Sequence, residues 1–256
     1  HGETKRSPPM PKKKHWLKII LLGILGNIVY QLLFIYGIDK TLAGNSSLLL
    51  ATVPIWTILL ATAINKETYG MGVWAGIIIT LVGIFFVVSG GDKNFSLSEN
   101  LPVGDLLVLL SAITWATYTV GSQNLTREYG ALAVTTWTLC IATPGLVLAG
   151  AQSLWSMDLR SVPMLSWIGV TYAGVMALAI AYYFWNYSLE KIGAPRTAAF
   201  SNLVPVIALL TALVWLGEIP SIAQLIGTVV ILVGLWLTRQ EKSDSGTVNV
   251  SKERNP

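Results

Sequence analysis

Ser111, Trp115, Tyr118 and Ser122 recur at spacings of four, three and four, with Thr114 adjacent, so a helix through residues 103–124 carries them on one face. The same spacing aligns Asn27, Tyr30, Gln31 and Phe34 within 16–38. It also aligns Tyr172, Met176, Ala179, Tyr183 and Asn186, with Tyr182 beside them, within 164–189. Asn202 lies one turn before Pro205. All of these sit in otherwise apolar stretches, where polar residues usually face the protein interior and often serve function. Ser and Thr at such depth have a second use, bonding their own helix backbone. Uncharged rings, amides and hydroxyls suit binding rather than bond-breaking, and they would hold neutral, zwitterionic or aromatic solutes better than strongly charged ones. Catalysis has little to work with. The only histidines are His1 and His15, the single cysteine is Cys140, and no Asp, Glu, Lys, Arg or His falls in the middle of an apolar stretch. An enzyme needs a clustered nucleophile, base or metal ligand set, so no catalytic residue, metal or cofactor is expected, and no disulfide. Asp105, Glu67 and Glu218 lie near the ends of their stretches. Carboxylates there cap a helix or meet the next one, so an interfacial role is expected, with ion coupling as the alternative.

The elements that must position these residues are membrane helices. The chain is 53% hydrophobic and 12% charged over 256 residues, more apolar surface than a soluble domain can hide. Spans of about 20 apolar residues fall at 16–38, 43–65, 70–90, 103–124, 130–151, 164–189, 195–217 and 221–238, eight in all. Trp16, Trp155, Trp167 and Trp236 fit an interfacial aromatic belt. Residues 1–15 form a basic leader, and the polar stretch 241–256 is expected to be a disordered tail. With eight spans both termini share one side, and 14 of the 17 Lys and Arg fall on that side. Cations are retained in cytoplasmic loops, so both termini are expected in the cytoplasm. The formal charge of +4 follows from this asymmetry, and no nucleic-acid partner is implied. The expected partners are the lipid bilayer and a small-molecule substrate, with the oligomeric state open.

Residues 16–91 and 167–242 are one segment written twice, in register at an offset of 151 without a gap. Trp16 falls on Trp167, Tyr36 on Tyr187, Lys40 on Lys191, Pro54 on Pro205, Glu67 on Glu218, Gly76 on Gly227 and Gly83 on Gly234. Five spans separate the two starts, and an odd number inverts the second copy in the membrane. Inverted repeats are how many secondary transporters obtain inward-open and outward-open states from one fold. Pro54 and Pro205 fall near the centres of their spans, so each is expected to kink a continuous helix, free the carbonyl of Leu50 or Ser201, and act as a hinge or cavity wall. The paired glycines are expected to let helices pack closely. Two spans, 103–124 and 130–151, precede the second copy, whereas only the leader precedes the first. The expectation is a ten-helix protein whose first two helices lie before His1, with a natural eight-helix variant as the alternative.

The run Tyr36, Pro54, Glu67, Gly76, Gly83, repeated as Tyr187, Pro205, Glu218, Gly227, Gly234, resembles the EamA domain of the drug/metabolite transporter superfamily. Gly104-Asp105 leading to Trp115 and Tyr118 is similar to the first helix of that domain's second copy. The resemblance implies an all-α polytopic membrane protein of two inverted five-helix repeats. Residues 16–91 would be the last three helices of the first repeat and 102–240 the whole of the second. It also implies a central cavity and export or exchange of small metabolites such as amino acids, in a bacterial inner membrane. A channel or a non-transporting scaffold is the competing class, and trans-stimulated counterflow separates it from a carrier.

Overall fold

A computed structural model describes residues 10–41, 46, 49–66, 68–91, 102–158, 162–211, 213–214 and 220–240, and among them every regular element is helical. Helix α1 (Lys13–Ile38) runs through a π-helical stretch at Ile24–Val29. Next come α2 (Val53–Asn65) and α3 (Met71–Gly91). Gly130 alone joins α4 (Pro102–Tyr129) to α5 (Ala131–Ser156), and its φ of 85° makes a corner that an L side chain would strain. Helix α6 (Met164–Ile192) holds a second π-helical stretch at Ala173–Ile180. A corner at Gly193, φ 82°, starts α7 (Ala194–Phe200). A 3₁₀ turn at Ser201–Leu203 leads into α8 (Val204–Thr211), and α9 (Ile222–Gln240) follows. The two π-helical stretches overlap at the 151-residue offset, since 24–29 falls on 175–180.

Helices α1, α4, α5 and α6 are long and apolar enough to cross a membrane, while Val53–Asn65, Met71–Val87 and Ile222–Thr238 are shorter apolar helices. The spans expected at 43–65 and 195–217 are not continuous kinked helices. Helical backbone through Leu50 gives way to a turn at 51–52 before α2 begins, and α7 is separated from α8 by the 3₁₀ turn. Short i to i+3 bonds mark both interruptions: Thr52 N–H donates to Leu49 O at 3.1 Å, Ile55 N–H to Thr52 O at 2.9 Å, and Val204 N–H to Ser201 O. Pro54 and Pro205 are thus the second residues of α2 and α8. The first turn of a helix has no acceptor for its N–H groups, so proline fits there at little cost. The Ser201 carbonyl, expected to be freed, is taken by Val204.

Helices α3 and α9 cross antiparallel on their glycines. A Cβ on Gly76 would lie 2.6 Å from Gly234 O, one on Gly83 2.8 Å from Gly227 O, and one on Gly227 2.6 Å from Gly83 O. Only glycine permits backbones this close. Since Gly76 and Gly227 are repeat-equivalent, as are Gly83 and Gly234, the seam is self-complementary in the manner of a twofold interface. Ile84, Val87, Ile231 and Leu235 bury their side chains beside it.

The ends of the bundle sort into two levels. At one end Lys12 Nζ lies 2.8 Å from Glu128 Oε1, His15 Nδ1 2.8 Å from the Tyr129 hydroxyl, and the Ala131 N–H donates to Glu190 Oε2 at 3.2 Å. The Ala194 N–H donates to Gln123 Oε1 at 2.8 Å, satisfying one orphan donor at the start of α7. At the other end Thr41 Oγ1 donates to Asp105 Oδ1, and Gly104 packs on the backbone of Lys40 and Thr41. Hence α1 and α4 run antiparallel. The Met164–Ile180 part of α6 buries no side chain among the described residues.

Candidate functional site

Trp115, midway along α4, is the hub of an aromatic cluster that joins three helices. Its ring centroid lies 4.8 Å from Tyr30 of α1, 5.3 Å from Tyr118 of α4, and 5.2 Å from both Tyr182 and Trp185 of α6. Offset and edge-on pairs at these separations add stabilisation beyond area burial. Tyr118 is fully buried and Tyr182 nearly so, while Trp115 and Tyr30 keep partial exposure.

A hydrogen-bonded frame holds the rings. Asn186 Nδ2 donates to the Tyr118 hydroxyl and to Thr135 Oγ1, both at 2.9 Å, tying α6 to α4 and α5. Trp185 Nε1 donates to Thr119 Oγ1 at 3.2 Å. The Tyr182 hydroxyl donates to Gly26 O at 3.3 Å. Gly26 belongs to the π-helical stretch of α1, where the wider i to i+5 closure disturbs the regular ladder and frees a carbonyl for an outside donor.

The two helix interruptions adjoin this cluster. Val53, at the start of α2, packs with Ala198 of α7 and Ala112 of α4, and Trp115 and Trp56 lie against that group. Ala51 and Ala199 share a second buried cluster with Val206 of α8. Asn202, in the 3₁₀ turn between α7 and α8, is 1% exposed, and neither its Oδ1 nor its Nδ2 has a partner. Asn27 Oδ1, Asn186 Oδ1 and Ser122 Oγ are also buried without partners.

The structure therefore brings together Tyr30, Trp115, Tyr118, Tyr182 and Asn186, with Asn202 in the turn beyond Ala198. Others go elsewhere. Ser111 is buried and donates to Val108 O, and Asn27 Nδ2 donates to Gly23 O, each within its own helix. Gln31 is half-buried. Tyr183 stacks on Tyr187 at 6.2 Å, away from Trp115, and Tyr172 is exposed on the bare part of α6. Asp105 sits in the first turn of α4, bonded to Thr41. Glu67 and Glu218 lie outside the described residues. Pro54 is buried at the α2 start. Trp185, Thr119 and Thr135 are site residues that the stripes did not name. Trp185 follows Tyr182 by three positions, so its spacing could have found it. Thr135 has no such signal, because its partner is 51 residues away. Among the described residues no group of three His, Cys, Asp or Glu comes together that could hold a metal.

Long apolar helices around an aromatic and amide interior, with two helices interrupted mid-course, define a polytopic helical membrane protein. The chain matches the EamA-like transporter family over residues 3–89 and 102–240, and it belongs to that family. It is similar to the uncharacterized transporter YdfC of Bacillus subtilis (strain 168), 31% identical over 232 residues that cover 90% of this chain and 73% of that one. A second transporter of that organism, YyaM, is 26% identical over 94% of this chain and 76% of its own. A probable terminal-alkyne amino-acid exporter of Streptantibioticus cattleyicolor is 27% identical, with 89% and 74% covered. A solved crystal structure shares the fold at a TM-score of 0.75 and 20% identity, over 87% of this chain and 76% of that one. The chain is thus an integral membrane protein of a transporter family, spanning about three quarters of each of these relatives.

Proposed function

We propose that the chain is the larger part of a secondary carrier that exports or exchanges small metabolites such as amino acids by alternating access, in a bacterial inner membrane with both termini cytoplasmic. One observation carries this reading. Two helices interrupted at repeat-equivalent positions, 51–52 and Ser201–Leu203, pack against one another beside the Trp115 cluster. Interrupted helices at a repeat interface are where secondary transporters bind their cargo, and rocking of one repeat against the other exposes the site to each side in turn. The self-complementary Gly seam between α3 and α9 supports two halves related by a twofold axis in the membrane plane, in a fold of ten helices. Tyr30, Trp115, Tyr118, Tyr182, Asn186 and Asn202 are the binding residues in this reading, with Pro54 and Pro205 at its hinges. No bond of the substrate is made or broken, so the protein is not an enzyme.

The test is counterflow. Protein reconstituted in liposomes and loaded with a panel of unlabelled amino acids should take up a labelled one faster when the two sides carry exchangeable solutes. Uptake indifferent to the solute on the far side would make it a pore, and flux restricted to highly charged species would remove the proposed substrate class.

A further inference from the structure

We propose that two further apolar helices of the same protein, lying outside these 256 residues, seat jointly on two bare stripes, one on the first half of α6 and one on the second half of α1. The inference rests on the twofold, ten-helix part of the carrier reading and says which residues the further pair covers.

The duplication lets α1 and α6 be compared position by position at the offset of 151. In α1, Ile19, Leu22, Gly23, Gly26 and Asn27 are buried. They seat on α4 and α5. Ile19 and Leu22 share a cluster with Tyr118 of α4 and Val134 of α5, Gly26 packs on the Tyr118 ring, and a Cβ on Gly23 would lie 3.1 Å from Thr138 O of α5. The equivalents in α6 are Val170, Ala173, Gly174, Ala177 and Leu178. Val170 is 65% exposed, Ala173 and Ala177 are exposed, Leu178 is half-buried, and a Cβ on Gly174 would meet nothing within 4 Å among the described residues.

The second halves differ in the opposite sense. Tyr182, Asn186 and Leu189 of α6 are buried, Asn186 through its bonds to Tyr118 of α4 and Thr135 of α5. Their equivalents in α1 are Gln31, half-buried, and Ile35 and Ile38, which are 48% and 42% exposed. Helices α4 and α5, the first two of the second repeat, thus cover the first half of α1 and the second half of α6. Under a twofold relation their counterparts, the first two helices of the first repeat, cover what is left: the first half of α6 and the second half of α1. One pair therefore accounts for both stripes. Gly174 fits a helix neighbour better than lipid, because glycine weakens a helix unless a close backbone approach requires it. There is room for the pair: 232 residues make up 73% of YdfC, so the rest of that relative is about 85 residues, enough for two spans of roughly 20. A second copy of this chain is a poorer occupant, since its own α4 and α5 already carry its own α1 and α6.

The test places the photo-crosslinking residue p-benzoylphenylalanine singly at Val170 and at Ile35, in membranes carrying either the complete gene product or residues 1–256 alone. In the complete protein both probes should capture peptides from outside residues 1–256, read by mass spectrometry after proteolysis. In residues 1–256 alone neither should give a protein adduct. Gly174→Leu is the second measurement. It should lower the thermal midpoint of the complete protein by roughly 5 °C, the scale of overpacking a filled site, and leave that of residues 1–256 unchanged. Lipid adducts alone at both positions of the complete protein overturn the seat, and dimer-sized adducts overturn it in favour of a second copy. Capture at only one position also overturns it, because a single pair must meet both. A Gly174→Leu change harmless in both forms counts against it in the same way. If the complete gene product carries further apolar spans that the probes miss, the seat alone falls; if it carries none, the ten-helix reading falls with it. The complete protein decides the matter even where the shorter form does not fold, and no readout depends on transport, so the cargo reading stands or falls separately.

Discussion

At the level of single residues, Asn186 does most to hold the site, since one amide bonds residues from two other helices and keeps Tyr118 and Tyr182 on either side of Trp115. Asn186→Leu takes one donor from the buried Tyr118 hydroxyl and one from Thr135 Oγ1, which still donates to Tyr182 O at 3.5 Å, and should cost about 1–3 kcal/mol in all. We expect a lower thermal midpoint in detergent and weaker substrate protection, both read from the same thermal-shift curves. An unchanged midpoint would mean that the frame is not needed. Tyr30, Trp115, Tyr118 and Asn186 are legible from helical spacing alone and Tyr182 only as a neighbour of its stripe, while Tyr172 and Tyr183 lie on that stripe and point elsewhere. The reason is physical. A stripe assumes one uniform period, and the π-helical stretch at Ala173–Ile180 widens the turn, so Tyr172 before it no longer shares a face with Asn186 after it; Tyr183 follows the stretch, and there the face that meets Trp115 is the one carrying Tyr182 and Trp185. Spacing within one helix also cannot say which foreign side chain will meet it, which is why Thr135 and Thr119 were invisible.

At the level of elements, the prolines and glycines were legible as positions but not as geometry. Each proline was expected inside a helix; instead the chain turns before it and begins a new helix. A proline in the first turn costs nothing in hydrogen bonds, so replacing Pro54 or Pro205 by Ala should shift stability by no more than about 1 kcal/mol. The same change allows the halves to join into one helix. The expected result is a near-wild-type melting curve with slowed counterflow; equal slowing of binding and melting would instead indicate general damage. The Gly seam behaves oppositely. A Cβ at Gly83 meets the backbone oxygen of Gly227 and the backbone nitrogen of Ile231, both at 2.8 Å. Backbone cannot swing aside as a flexible side chain can, so Gly83→Ala forces α3 and α9 apart and should cost roughly 1–3 kcal/mol. Gly150, which has nothing within 4 Å of its added Cβ, is the control for a helical site with open space: Gly150→Ala should be neutral or slightly stabilising in the same melting experiment.

For the molecule as a whole, the duplication read from sequence and the contacts read from structure meet in the end-to-end sorting of the helices. Lys12, Glu128, Ala131 and Glu190 gather at one end, and Lys40, Thr41, Gly104 and Asp105 at the other. That arrangement requires α1 to cross once between Lys12 and Lys40, whatever the direction. The direction itself rests on the cation count, because Lys and Arg are held back on the cytoplasmic side and the mechanism acts on loops rather than on the folded bundle. Orientation can therefore be tested without any knowledge of substrate. Cys140 is exposed on α5 and is replaced by Ser first, leaving a chain without thiols. Lys40→Cys and Lys12→Cys are then introduced singly and treated with a membrane-impermeant maleimide in intact cells. We expect Lys40→Cys to label from outside and Lys12→Cys to label only after permeabilisation. The reverse pattern would invert the protein in the membrane while preserving the twofold relation of its halves. Labelling of both from the same side would mean that α1 does not cross, and the inverted arrangement of the repeats would fall with it.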